Sequence, residues 1–211
     1  MMLGFGSFAC SLPQAHADDI PNPTEDIKAS ADQTTATAIF AGGCFWCTEA
    51  AFEQLPGVSD VVSGYCGGTK DDATYEKVCS GNTNHAEAIK ITYNPQKITF
   101  GQLMKVLFFT IDPTTKDRQG PDSGRQYRSA VFYQNDDEKR IAEAYIKQLN
   151  DAKTFSNPIV TTVEPVGEGF FAAEGYHQDY ARNNPDQPYI ARNATPKADK
   201  VKAKFGEQEK K

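Results

Sequence analysis

Two thiols three residues apart, Cys44 and Cys47, enclose the chain's only tryptophan in Gly43-Cys44-Phe45-Trp46-Cys47, where an apolar run gives way to a helical pattern. Side chains at this spacing share a helix face, so the two sulfurs can close a disulfide, as in redox Cys-x-x-Cys motifs. A helix starting at about Cys44 places that thiol among backbone N–H groups without intrahelical partners, near the positive end of the helix dipole. The thiolate should therefore be favoured by roughly one pKa unit at ~1.4 kcal/mol per unit. Two rival chemistries share the spacing. One is half of a structural metal site, completed from Cys66, Cys79, His85 and His177, although no second Cys-x-x-Cys or close His pair occurs. The other is a thioredoxin-like module, against which stand the bulky Phe-Trp insert and the strand order. Phe45 and Trp46 either wall a small apolar group, such as a methyl beside a polar reacting atom, or simply fill the core.

Such a pair needs a scaffold, and the hydrophobic pattern supplies one. Strands are predicted over Thr35–Gly42, Val58–Tyr65, Glu87–Pro95, Ser129–Tyr133 and Ile159–Val166. A short helix follows the cysteine pair and stops at Pro56-Gly57, before the second strand. A Gly-rich loop with Gly67, Gly68 and Gly81 leads into the third strand. Phe100, Leu103, Met104, Leu107, Phe108 and Ile111 recur at helical spacing, with Thr99 as N-cap and Pro113 beyond the end. A second amphipathic helix spans Asp136–Asn150, and a last helical stretch is expected over Phe170–Asn183, before Pro185. The order β-α-β-β-α-β predicts an α/β fold of the ferredoxin-like type, a two-layer split βαβ with a mixed sheet and an extra C-terminal helix.

The 211 residues suit one domain, and 22 basic against 28 acidic residues, a net charge of −6, give no footprint for nucleic acid. No apolar run is long enough to span a membrane, so stable membrane insertion is not expected. Residues 1–17 lack charge and end in Ala15-His16-Ala17, the small-x-small form of a signal-peptidase site. A periplasmic or secreted protein is expected, or a cytoplasmic one if this segment is not a signal. The first basic residue is Lys28, which fits a start lying inside a longer gene product. Residues 18–33, polar with two prolines, are read as a flexible leader, 34–187 as the catalytic domain, and 188–211 as a polar surface tail.

Four motifs in register, Gly43–Phe52, Thr74–Pro95, Asp112–Tyr133 and Ala173–Tyr180, together resemble the A-type peptide methionine sulfoxide reductases over roughly Thr37–Asn183. The resemblance implies a ferredoxin-like α/β fold and specific roles. Cys44 matches the nucleophile, Phe45 and Trp46 the pocket for the substrate's methyl group, and Glu87 the acid that protonates the sulfoxide oxygen. Tyr75 and Tyr127 match hydroxyls that hold that oxygen, and Asp122 a carboxylate that binds and orients the substrate. Methionine S-sulfoxide, free or in proteins, is the implied substrate, with thioredoxin or a similar dithiol as reductant. No metal or organic cofactor is implied, and a monomer is expected.

The chemistry explains the residue types. A sulfoxide sulfur is a poor electrophile until its oxygen is protonated, so thiolate attack must be coupled to an acid. A carboxyl of ordinary pKa ~4.3 is protonated less than about 1% of the time at pH 7, a handicap of roughly 3–4 kcal/mol. Glu87 is therefore expected to be buried, with a raised pKa. Attack leaves Cys44 as a sulfenic acid. Many family members resolve it with a C-terminal cysteine, but none follows Cys79 here. Cys47 is the nearest resolving candidate, followed by Cys79 and Cys66. Arg125 stands where a small hydroxyl residue is common in the family.

Overall fold

The computed structural model describes residues 20–206; the expected signal segment lies outside them. The chain runs β1 (Ala36–Gly42), α1 (Phe45–Phe52), β2 (Val58–Cys66), α2 (Tyr75–Cys79), β3 (Ala86–Tyr93) and α3 (Phe100–Thr110). It continues through a small hairpin, β4 (Arg118–Gln119) and β5 (Asp122–Ser123), then β6 (Ser129–Tyr133), α4 (Asp136–Asp151), β7 (Thr162–Pro165), β8 (Phe170–Ala172), α5 (Tyr180–Asn183) and α6 (Thr195–Phe205). The main sheet has the order β7-β6-β1-β3-β2-β8, with β6 and β7 parallel and the other pairs antiparallel. Strands β1 and β2 both pair with β3 between them, and α1 connects them. This is the expected split βαβ, extended at both edges.

Strand β1 shows why the sheet sits where it does. Its alternating residues serve two hydrophobic clusters, Ala38 and Phe40 on one face, Ile39 and Ala41 on the other. A strand covered on both faces reads as an unbroken apolar run, as this one does. The predicted α3 is capped as its sequence requires. Thr99 accepts the Gln102 N–H at 3.2 Å, and the Gln102 side chain accepts the Thr99 N–H at 2.9 Å. At α4, the Asn135 side chain accepts the Glu138 N–H at 2.9 Å, and Ile141, Tyr145 and Leu149 are buried.

Three expectations are corrected. The part of the leader within the described residues is packed down: Ile20 is 2% exposed, the Tyr145 hydroxyl donates to the Pro21 carbonyl at 2.7 Å, and Asp26 accepts the Gly101 N–H at 2.9 Å. Its prolines lower the entropy of an extended strap, and its polar residues cap α3. The tail is likewise structured. Residues Ile190–Ala194 form a turn of π-helix that runs into α6, and Ile190, Ala194 and Val201 are buried. Three apolar residues among lysines suffice to dock a helix whose other faces are solvated. Residues 170–183 are not one helix but strand β8, a turn and the short α5, because Phe170–Ala172 pair with Gly64–Cys66.

At the end of β1 the chain must reverse into α1. Gly43 does this at φ +85°, where a Cβ would also lie 2.6 Å from the Gln119 Cβ. Only glycine fits both constraints.

Candidate active site

The reversal at Gly43 delivers Cys44 to the N-cap of α1. Its carbonyl accepts the N–H groups of Cys47 at 3.1 Å and Thr48 at 3.3 Å, while the free N–H of Phe45 turns towards β3. There it donates to Glu87 Oε2 at 3.0 Å. An orphan donor of the helix start and a carboxyl of the central sheet thus satisfy each other inside the protein. Glu87 is 3% exposed. Burial pushes its carboxyl up to about 8, against the Phe45 N–H bond, with Asp122 and Cys47 adding to the rise. The buried, raised carboxyl expected from the chemistry is present.

The two thiols lie together under the segment expected to be a surface tail. Cys44 and Cys47 cluster with Ile190 and Ala194, and the Tyr189 hydroxyl lies 3.8 Å from Cys47 Sγ while donating to Asp122. A cavity of about 400 Å³ opens on both sulfurs between Asp122, Tyr189 and Lys197. The predicted lowering of the Cys44 pKa is not found. Its hydrogen bond to Cys47, burial and the Glu87 charge push it well above the ordinary value, whereas the bond from Cys44 holds Cys47 down, helped by Lys197 against burial. A dipole term of about one pKa unit is too small to win against a neighbouring thiolate in a buried site. Of the two, Cys44 is the thiol that keeps its proton and Cys47 the one that gives its proton up first.

Rings build the walls. Phe45 is 1% exposed and packs against His177 at 5.0 Å and Tyr65 at 6.0 Å between centroids. Trp46 stacks on Tyr180 at 4.0 Å and 14°, and lies edge-on to Tyr189 at 6.2 Å. Tyr75, at the start of α2, reaches His177 at 4.4 Å, and its N–H donates to Glu174 at 2.9 Å. Tyr127 sits in the turn Arg125–Tyr127, in the field of Glu87 and Cys44. Burial first, and nearby acids and thiols second, push both tyrosines above their ordinary range, so both hydroxyls remain donors. Trp46 Nε1 and both His177 ring nitrogens are buried without a partner, and burial lowers the His177 pKa, keeping it neutral. The two rings lie 5.6 Å apart, and buried polar atoms left without hydrogen bonds mark where an incoming polar group can find them.

The structure thus gathers Cys44, Cys47, Phe45, Trp46, Glu87, Tyr75, Tyr127 and Asp122 about one centre. It also brings His177, Tyr180 and Tyr189, which the sequence did not single out for this role. His177 and Tyr180 lie in the fourth of the motifs that carry the resemblance, which could have pointed to them, whereas Tyr189 stands outside all four motifs. Cys79, at the end of α2, is half-buried beside the Tyr75 and Tyr127 hydroxyls. Cys66 is elsewhere. It is fully buried in the cluster on the other face of the sheet, 3.5 Å from the Gly169 carbonyl, and burial pushes it up to about 12. His85 spends both nitrogens on the backbone of Gly68 and Thr69. Among the described residues the one grouping with metal-ligand spacing is Glu49, Glu53 and Asp179, which contains no cysteine and carries an ion pair with Arg182 at 2.6 Å from Asp179.

The Glu87 shift has a thermodynamic sign. Its carboxyl is raised from 4.5 to about 8, so the folded protein holds a proton that the unfolded chain releases. Its contribution is therefore full below pH 4.5 and lost as pH rises through 8. Denaturant midpoints measured from pH 5 to pH 9 should fall across this window, and the fall should be smaller in Glu87→Gln; an identical pH dependence in the variant would contradict this assignment.

Comparison with known proteins agrees with this geometry. The family model described as peptide methionine sulfoxide reductase matches residues 36–209. The chain is 54% identical to peptide methionine sulfoxide reductase MsrA 2 of Mesorhizobium japonicum, over 80% of this chain and 87% of the relative. It is 42% identical to MsrA 2 of Synechocystis, over 99% of this chain and 97% of that protein. Reduced Mxr1 from Saccharomyces cerevisiae superposes with a TM-score of 0.67 at 33% identity, covering 75% of this chain and 91% of that one. From its fold, its cysteine-led helix and these likenesses, the chain belongs to the peptide methionine sulfoxide reductase family.

Proposed function

We propose that the chain reduces methionine S-sulfoxide, free or within proteins, with Cys44 as nucleophile and Glu87 as acid. The observation that carries this reading is the buried Glu87 carboxyl, pushed up to about 8 by burial and held by the Phe45 N–H at 3.0 Å beside a thiol among aromatic rings. Phe45 and Trp46 receive the methyl group, Tyr75 and Tyr127 donate to the sulfoxide oxygen, and Asp122 orients the substrate. A plain thiol-disulfide oxidoreductase breaks no sulfur–oxygen bond and so gives the two tyrosine hydroxyls no oxygen to hold.

The protons balance through the thiol pair. As Cys44 sulfur bonds to the sulfoxide sulfur, its proton passes to the Cys47 thiolate, and Glu87 delivers a proton to the oxygen. The sulfur–oxygen bond of the substrate breaks, methionine leaves, and Cys44 carries the hydroxyl as a sulfenic acid. Cys47 then attacks Cys44 sulfur, and its proton leaves with the hydroxyl as water. An external dithiol, thioredoxin or a thioredoxin-like donor, reduces the Cys44–Cys47 disulfide and returns two protons, one of which recharges Glu87. Cys47 is favoured as resolving residue because it is already hydrogen-bonded to Cys44, whereas Cys79 faces the two tyrosines and Cys66 lies across the sheet. No further cofactor enters the scheme. We also propose a periplasmic or secreted setting, on the strength of residues 1–17.

Racemic methionine sulfoxide incubated with the protein and excess dithiothreitol should lose its S epimer alone by chiral chromatography. Loss of neither epimer, or of R, would overturn the reading. Cys47→Ser, which loses the base as well as the resolving thiol, should release one methionine per chain more slowly than wild type and then stop cycling with thioredoxin. Peptide mapping of the wild type after one turnover without reductant should recover Cys44 joined to Cys47; a Cys44–Cys79 link would reject Cys47.

A further inference from the structure

Glu49 lies on α1 one turn beyond Trp46 and is 2% exposed, yet it touches neither sulfur nor substrate pocket. Its two oxygens have separate tasks. Oε2 accepts the Ser63 hydroxyl of β2 at 3.0 Å, and Oε1 accepts the Asp179 N–H at 3.1 Å. Ser63 in turn exchanges backbone bonds with the Gln178 side chain, its N–H donating at 2.9 Å and its carbonyl accepting at 2.9 Å. Three separated stretches of chain therefore meet at one buried carboxyl.

What this junction holds is the far wall of the site. Asp179 has φ +54°, a left-handed conformation that is unfavourable for a non-glycine residue and persists only where its surroundings impose it. Two residues before it, His177 packs on Phe45 and Tyr75; directly after it, Tyr180 stacks on Trp46 at 4.0 Å. The Glu49 bond grips the backbone between these wall residues. The groups facing it are Glu53 and Asp179, which disfavour its ionised form, while Arg182 pairs with Asp179 at 2.6 Å and lies 3.7 Å from Glu53. Burial pushes Glu49 up to about 7, so the position works against its charge, and a pair of well-placed acceptors is what the carboxyl contributes.

We propose that Glu49 is a positioning residue: by fixing Asp179 to α1 and β2 it sets the His177–Tyr180 wall, and thereby the affinity for the sulfoxide side chain. The inference rests on the reductase reading given above. Its loss should weaken substrate binding and leave the chemistry at Cys44 intact, a split that simple destabilisation would not produce.

The chain's single tryptophan makes the wall directly visible, since Trp46 emission reports its stack on Tyr180. Glu49→Ala should shift that emission, raise KM about tenfold (~1.4 kcal/mol) and leave the first-turnover rate at saturating sulfoxide within about twofold. Glu49→Gln, whose amide oxygen still accepts the Asp179 N–H, should restore emission and KM. Ser63→Ala, a milder change, should move both in the same direction by less, and it decides the matter if Glu49→Ala does not fold. Wild-type emission and KM in Glu49→Ala, or in Ser63→Ala where that variant decides, or a fall in first-turnover rate with KM unchanged, would overturn the proposal. Failure of the wild type to consume sulfoxide would instead sink the reductase reading, and the emission comparison would still test the clamp.

Discussion

The contact between the Phe45 N–H and the Glu87 carboxyl is the constraint around which the site is arranged. A helix start leaves backbone donors without partners, and a carboxyl in a sheet core has no water to accept from. Each solves the other's problem at 3.0 Å, and in doing so sets Cys44 and the acid at a fixed separation. The contact exists only because β1 turns into α1 in two residues, which Gly43 permits at φ +85°. It also explains why the aromatic pair follows the cysteine directly. Phe45 and Trp46 occupy the first turn of the helix whose start meets the acid, so pocket and proton donor share one anchor.

The same burial has opposite effects on the two reacting groups. For Glu87 it yields the neutral acid that sulfoxide activation needs. For Cys44 it would, alone, leave an unreactive thiol. The second cysteine relieves that difficulty: Cys47, held down by its bond from Cys44 and by Lys197, is a base within reach of the nucleophile's proton. Under this account Cys47 serves twice, first taking the proton and then displacing the hydroxyl. The segment from Tyr189 to Ala194 encloses the pair, so the start of what reads as a polar tail becomes part of the reaction chamber.

Much of this was legible in the residues. An apolar run marked β1, a period-2 pattern β3 and period-3.6 patterns α3 and α4, and the split βαβ order followed from their sequence. The site residues came from chemical need together with the family resemblance. Less visible was what depends on distant packing. Ile20, Ile190 and Val201 are single apolar residues in polar surroundings, too sparse to give a periodic signal, yet each finds a buried position. Phe170–Ala172 have a composition that suits helix or strand, and the free edge of β2 decides. The acidity of Cys44 was misjudged because a local helix-end argument omits the neighbouring sulfur and the loss of solvent.

The claim on which the mechanism turns is that Glu87 carries a proton in the resting protein at neutral pH. Infrared difference spectra between wild type and Glu87→Gln at pH 7, with the carboxyl carbons isotopically labelled, observe that proton directly. A protonated carboxyl band that disappears in the variant and titrates near pH 8 is the result the account predicts. A carboxylate band at pH 7, titrating near the ordinary value of about 4.3, would contradict it.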